Sequence, residues 1–538
     1  MDCVEAEFRI VTPMFLGGAD NSTSAELRAP SIKGVLRFWW RAMMYQHFPD
    51  LKELRKKEAE LFGAAGSKDG GGQSSFHLSV VSQPRCVIKR GKALSDEEEP
   101  SQENIGPGAH YFGYGVFEQE NKKTCKGKLS RPCLRPGRSF IIRIIARRKI
   151  DPSIVAAVEL MGLLGGLGSR TRRGYGSIAL QRLTRNGELI WNAPENCQDY
   201  AARIRALVPE INTRELPPYT AFGRDSRVAV LARGQSALGV LNEIGEAMIR
   251  YRSAGKFGKL WPLKKGEHTP WSEENFQDDH DWFHNVYLNA PTEGPRSPKR
   301  VVFGLPHNYF SSIGQGLTKR VTVEGPVTKS MDRRASPLMI HIHPLGDRRY
   351  VGVVSILGSQ FLPARNMSAM VSSKMEGCFT VCGTLDGTFD GAQKNITGKF
   401  QGEVQDKIRK TISGEFSGRF ADKPKLGSNG RILGDIHGQL VGRSLKITGQ
   451  FTGHLMDPKT GRLNGEISGD LTPGPLSNNV ALMPDWSVLH DFMDALKVEG
   501  KTSKSYFDPK DVLAIIGRKP GPKIADPTFE AQRKEPQL

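Results

Sequence analysis

Between residues 396 and 471 a short pattern recurs: ITGKFQG from Ile396, ISGEFSG from Ile412, IHGQLVG from Ile436, ITGQFTG from Ile447 and ISGDL from Ile467. Large apolar residues alternate there with polar residues or glycine, as in short twisted strands joined by tight turns. Successive copies are offset by 16, 24, 11 and 20 residues, so the segment is not a strict solenoid. Residues 366–479 read as an all-β module grafted into a loop of a larger fold. They hold 14 basic and 11 acidic residues, only +3 of the chain's +19. A structural or protein-docking role suits this module better than RNA binding.

The positive charge therefore lies mainly elsewhere. Lysine and arginine number 76 against 57 acids in 538 residues, a length that at about 150 residues per domain predicts two to four domains. The excess of cations favours a polyanionic partner, nucleic acid above all. Seven scattered cysteines match no metal spacing and read as free thiols of a reducing cytosol. The start MDCVEAEFRIV lacks a basic segment and a long apolar run, so it does not read as a signal peptide, and no window approaches the ~20 apolar residues of a membrane span. A soluble, cytoplasmic protein is expected, with no membrane partner.

VEAEFRIVTP alternates as a strand, and Pro30-Ser31 opens a helical stretch IKGVLRFWWRAMMYQHF. HYFGYGVF and SFIIRIIARR are strand candidates. DPSIVAAVELMGLLGG reads as a helix capped by Asp151, with Pro152 first and Gly165 closing it, and YGSIALQRL returns as a strand. The order β, α, β, β, α, β is that of a ferredoxin-like domain, a fold whose sheet often carries RNA. A second α+β unit starts near Arg227: RVAVLARG, KRVVFGLP, SPLMIHIHPL and RYVGVVSILG read as strands, SALGVLNEIGEAMIRYR and WSVLHDFMDALK as helices. The expected domains are 1–222, 223–365 with 480–500, the β module 366–479, and a charged tail 501–538.

Lys33, Arg37 and Arg41 recur every fourth residue and form one cationic stripe on the first helix. Three like charges in a row favour an anion opposite them, so the stripe reads as a phosphate track, with Trp39 and Trp40 able to stack on a base or to plug the core. The second candidate is LLGGLGSRTRRGYGSIAL, residues 163–180. It lacks the Gly-Lys-Ser/Thr of a phosphate-binding P-loop and follows a helix instead of a strand. Gly166 and Gly168 would let backbone N–H groups approach a ligand, and Arg170, Arg172 and Arg173 would grip phosphate oxygens.

The loop GGLGSRTRRGYGS resembles the glycine-rich signature of the RAMP superfamily of CRISPR proteins. RAPSIKGVLRFWWRAM, EAELFG (58–63), FGLPHNYF (303–310), RRASPLMIHIHPLGD (333–347) and FLP (361–363) are similar to one of its families, the first subunit of the type III-B Cmr complex. The β-rich module departs from the ordinary members. The resemblance implies two ferredoxin-like domains in a subunit that contacts guide and target RNA near the guide's 3′ end, beside other RAMP subunits. It implies no catalysis and no cofactor, with base pairing reading the sequence and the protein gripping the backbone.

Competing readings stay open at this stage. A metal-independent endoribonuclease would need a general base, for which His47 and His110 are candidates. A metal nuclease could use DDHDWFH (278–284), although such runs are usually solvated loops, and no metal is expected. His341 and His343 share one face of a strand and could be ligands, with packing or RNA contact favoured. A scaffold subunit would bind no RNA by itself.

Overall fold

A computed structural model describes residues 1–18, 20, 23–64, 72–84, 87–94, 105–118, 127–208, 215–252, 276, 279, 298–313, 317–324, 333–346, 349–360, 368–376, 379–404, 410–441, 445–473, 477–481, 485–495 and 513–516. The chain divides into two compact units. One comprises 1–272, 336–360 and 486–538, the other 273–335 and 361–485.

Among the described residues the first unit contains two larger sheets and a two-stranded one, Val87–Ile88 with Cys133–Leu134. In the first, β1 (Asp2–Ile10) is followed by α1 (Ala29–Met44), α2 (Leu51–Phe62), β2 (Phe76–Ser82), α3 (Pro107–Phe112), β3 (Ser139–Ala146), α4 (Pro152–Leu164), β4 (Ile178–Arg185) and β5 (Glu188–Asn192). The strand order is β2-β3-β1-β4-β5. Central β1 alternates strictly: Val4, Ala6, Phe8 and Ile10 are buried, and the residues between them are half-buried. It pairs antiparallel with β3, Phe8 opposite Phe140, and with β4, Ile10 opposite Ile178. Asp151 caps α4 by accepting from Ser153 N, and Gly162 brings α4 against β4, since a Cβ there would lie 2.4 Å from Leu180 Cβ.

After α5 (Cys197–Leu207), the second sheet uses β6 (Arg227–Gly234), α6 (Ala237–Arg252), β7 (Leu338–Leu345), β8 (Arg349–Ile356), α7 (Ser487–Ala495) and β9 (Leu513–Ile516). Its order, β7-β8-β6-β9, repeats that of the first four strands of the other sheet. Among the described residues no helix is long and apolar enough to cross a membrane.

Two strand expectations are corrected. HYFGYGVF is helix α3 followed by a turn, and the second strand of the first sheet is Phe76–Ser82 instead. Pro107 starts the helix, and glycines seat it on α6: a Cβ on Gly108 would lie 2.1 Å from Asn242 O, one on Gly245 2.3 Å from Gly108 O. Tertiary packing thus overrides local alternation. KRVVFGLP is a 3-10 turn, Lys299–Phe303, ending in a two-residue strand. The tail lies outside the described residues apart from β9.

His341 and His343 are buried on β7 in the first unit. His341 Nδ1 lies 2.8 Å from Gly165 O, which can only accept, so that nitrogen carries the proton and Nε2 accepts from His343 Nδ1 at 3.2 Å. His343 packs on Tyr200 with ring centroids 4.5 Å apart. Packing, not ligation or RNA contact, is the observed environment of this pair. Burial drives His341 down to about 3 and His343 further below its ordinary value, with the His341 charge adding to the latter. The unfolded chain therefore binds more protons once the pH falls below 6.5, and stability is lost from there down towards about 3. The slope approaches about 1.4 kcal/mol per pH unit for each ring. Denaturant midpoints across that window check this, and the double variant His341→Gln, His343→Leu should flatten the profile.

In the second unit, strands 379–390, 395–404, 410–420, 431–440, 445–457 and 462–473 pair in a closed antiparallel cycle, the first with the last and 410–420 with 431–440. The recurring sequence pattern builds this barrel. Ile396, Phe400 and Val404 point inwards with Gly398 and Gly402, and the residues between them are exposed. Glycines meet across strands, as Gly418 meets Gly438, and a Phe ring fills the space they leave. A Cβ on Gly438 would lie 2.3 Å from Phe416 Cζ. Phe416→Ala is expected to cost about 3–5 kcal/mol, read as a lowered unfolding midpoint and faster hydrogen exchange in strands 410–420 and 431–440.

Candidate nucleic-acid interface

The cationic stripe forms as spaced, but its anion belongs to the chain itself. Buried Glu58 on α2 accepts from Arg41 Nε at 2.7 Å and Nη2 at 2.5 Å, a bidentate pair that raises the Arg41 pKa. Arg37 Nε lies 3.5 Å from the same carboxylate, and its Nη2 donates to Gly63 O at 2.6 Å. EAELFG (58–63) thus supplies both acceptors. This corrects the phosphate-track reading of Arg37 and Arg41, whose donors join two helices. Lys33 lies over the Phe76 ring at 4.9 Å, and burial, then the Arg37 charge, lowers its pKa.

Trp39 and Trp40 are 1 % and 0 % exposed, which corrects their reading as base-stacking groups. Trp40 Nε1 donates to Ser153 Oγ at 2.7 Å, and its ring packs on Phe62. Both indoles plug the core under α1 and α4.

The glycine loop folds back on its own chain. Leu167 N donates to Gly176 O, Ser169 N to Phe15 O, Gly176 N to Pro13 O and Ser177 N to Thr12 Oγ1, all at 2.9 Å. Gly166 and Gly168 are needed because Cβ atoms there would lie 2.6 Å from Gly176 O and 2.5 Å from Phe15 O, and Gly168 adopts φ +91°. The N–H groups of Leu167, Ser169, Gly176 and Ser177 are therefore internally satisfied, which corrects their expected exposure to a phosphate.

The three arginines diverge. Arg172 donates to Ser336 O at 2.7 Å and Thr220 Oγ1 at 3.0 Å, and Ile340 N donates to Arg172 O at 3.1 Å, so this residue ties the loop to β7 and its approach. Arg173 Nη1 contacts Met248 Sδ at 3.2 Å, and its guanidinium lies over Phe112. Burial pulls both down to about 10. The clamp reading is corrected for this pair, since their guanidiniums engage the chain. Arg170 alone of the three is exposed, in a left-handed conformation at φ +64°.

Beside Arg170 stands Arg131, a residue the sequence reading missed. Its guanidinium lies over Phe15 at 5.7 Å, and its Nε is buried without a hydrogen-bond partner. Its setting, LSRPCLRPGRS, is basic but without helical or strand period, and the Met14–Leu134 bridge brings it to the glycine loop. Burial lowers the pKa of both arginines, and the Arg131 charge lowers Arg170 further. Among the described residues no carboxylate is ion-paired with either. Two guanidiniums that repel each other beside an aromatic floor are a place for an anion.

The nuclease candidates are placed elsewhere. His47 is exposed in a 3-10 turn after α1, and His110 stacks on Phe117 at 5.4 Å within α3, not at a strand start. Of the acidic run at 278–284 only Asp279 is described. It is a buried anchor that accepts from Lys299 N, Arg300 N, Arg300 Nε and Tyr309 Oη at 2.6–3.3 Å. Among the described residues no group of three metal-ligating side chains converges.

This division between internal and exposed arginines separates two variants. Arg172→Ala is expected to lower stability by about 1–3 kcal/mol through lost buried hydrogen bonds. Arg170→Ala is expected to stay within about 0.5 kcal/mol of the wild type. Denaturant titration of the two side by side checks this.

The RAMP superfamily profile matches residues 7–179, which span β1 to the start of β4 and include Arg131 and Arg170. Cmr subunit Cmr1-1 of the Pyrococcus furiosus CRISPR system is 25 % identical over 343 residues, 63 % of this chain and 82 % of that protein. Cmr1-2 of the same organism is 28 % identical over 185 residues, 33 % and 94 % of the two. Among solved structures, apo Cmr1 from Pyrococcus furiosus aligns with TM-score 0.38 and 19 % identity over 68 % of this chain and 90 % of that one. A chain of the type III-B Cmr-beta complex bound to cognate target RNA aligns with TM-score 0.36 and 13 % identity over 67 % and 95 %. Residues 7–179 match the RAMP superfamily, and the curated relatives of the chain are Cmr1 subunits of a CRISPR system.

Proposed function

We propose that this protein is a non-catalytic RNA-binding subunit of a type III-B CRISPR ribonucleoprotein effector. It grips guide and target RNA near the 3′ end of the guide, beside other RAMP subunits, in cytoplasmic antiviral defence. Two ferredoxin-like RAMP domains, 1–222 and 223–365 with 480–500, carry the function, and the equal strand order of the two sheets supports that reading. The β module 366–479 serves as a structural or docking element, in keeping with its small share of the charge. Similarity to Cmr1-1 over most of that subunit's length supports membership of such a complex.

The observation that carries RNA binding is the Arg131–Arg170 pair, cationic and without carboxylate partners among the described residues, in the segment that matches the superfamily. Guide-based recognition leaves sequence to base pairing, so phosphate contacts are what the protein has to supply. Lys33 adds a third cation without an acidic partner among the described residues.

Binding of the full chain to labelled single-stranded RNA across a salt series tests this. The double variant Arg131→Ala, Arg170→Ala is expected to bind more weakly and to lower the slope of log affinity against log salt by about 0.7, the value for one phosphate. The recovered RNA should be intact. Unchanged affinity would remove the phosphate assignment, and cleaved RNA would favour the endoribonuclease.

A further inference from the structure

Tyr114 is 74 % exposed, the most exposed large apolar side chain of the described residues after Met1. It does not sit on a loose segment. Tyr114 N donates to Tyr111 O and Val116 N to Gly113 O, closing the turn after α3. A Cβ on Gly113 would lie 2.0 Å from Phe117 Cε2, so the turn is pressed onto the aromatic cluster of Phe15, Phe117 and Tyr175. The ring is held out from the surface by a rigid base.

The Arg170 guanidinium lies 6.0 Å from the centre of that ring, and a Cβ on Gly115 would be in ordinary contact with its Nη2 at 3.5 Å. Arg170 is fixed in a left-handed conformation that a non-glycine residue rarely adopts, its carbonyl accepting from Arg173 N at 2.8 Å and Tyr175 N at 3.3 Å. Arg131 stands beside it on Phe15. One small surface therefore presents a flat aromatic face next to two guanidiniums. A single-stranded nucleotide has the matching parts, a base with a π-face and a phosphate a short distance along the backbone.

We infer that Tyr114, Arg170 and Arg131 form a nucleotide subsite in which an unpaired RNA base stacks on Tyr114 while its phosphate lies between the two arginines. This rests on the RNA-binding reading above and adds to it the form of the RNA, single-stranded at this point with a base turned towards the protein. An acidic peptide would satisfy the arginines equally but would draw nothing from the ring.

Full-chain variants are titrated with a single-stranded oligoadenylate carrying one fluorescent purine analogue, whose emission falls on stacking. Tyr114→Ala is expected to weaken binding by about 5- to 150-fold at every salt concentration with an unchanged salt slope. It should also abolish the quenching. Tyr114→Trp should restore both, and exposure of the ring means that neither variant should alter the unfolding midpoint. Arg131→Ala with Arg170→Ala is expected to change the slope. Normal affinity and quenching in Tyr114→Ala, with weakened binding in the arginine variant, would overturn the subsite and leave RNA binding standing. Loss in neither variant, or competition by oligoglutamate as effective as by RNA, would overturn both readings.

Discussion

The crossing of the chain segments 12–16, 166–169 and 174–177 is the contact on which the described part of the first sheet's loop edge depends. Four hydrogen bonds of 2.9 Å close it, and the chains run so near each other that a Cβ on Gly176 would lie 2.0 Å from Leu167 O. That geometry decides what each neighbouring side chain can do. It sends Arg172 and Arg173 back towards β7 and α6, leaves Arg170 outside, and sets Phe15 as the floor for Arg131. The loop grips its own carbonyls first, and any ligand it meets is met by side chains.

A charge of +19 says little about where free charge resides. Glu58 alone engages Arg37 and Arg41, and a buried bidentate pair of this kind orders two helices without offering anything to a partner. Asp2 does the same for Arg185, with its own pKa held down to about 2 by that guanidinium. What distinguishes Arg131 and Arg170 is mutual repulsion beside an aromatic floor, with no ion-paired carboxylate among the described residues and with Arg170 exposed. These depend on tertiary neighbours and not on the number of cations.

Much of the architecture was legible because it follows from periodicity. The alternation in β1, the Asp151 cap with Pro152, the apolar run of β3 and the glycine-spaced barrel strands each declare themselves locally. The strand at 76–82 did not, because FHLSVVS is short and the alternation of HYFGYGVF was more conspicuous, until glycine contacts with α6 made the latter a helix. At the candidate site the spacing of Lys33, Arg37 and Arg41 was read correctly and their partner was not, since Glu58 is 17 residues away from Arg41 and meets it only through helix packing. Arg131 was invisible because its relation to Arg170 is purely spatial. Trp39 and Trp40 show the limit of composition: an aromatic beside a basic stripe looks the same whether it faces a base or a core.

The barrel's first and last strands are neighbours, Phe379 opposite Leu471, and the chain approaches them through another pair, with Ser368 opposite Ala481 and Ser372 opposite Ser477. Outgoing and returning chains thus run side by side from 368 onwards, so the ends of the module are fixed at adjacent-strand distance. A segment whose ends are already held together loses little further entropy when the sequence between them lengthens, because closure cost grows only with the logarithm of loop length. Lengthening a turn within the barrel therefore leaves the register of the strand pair 368–372 and 477–481 unchanged.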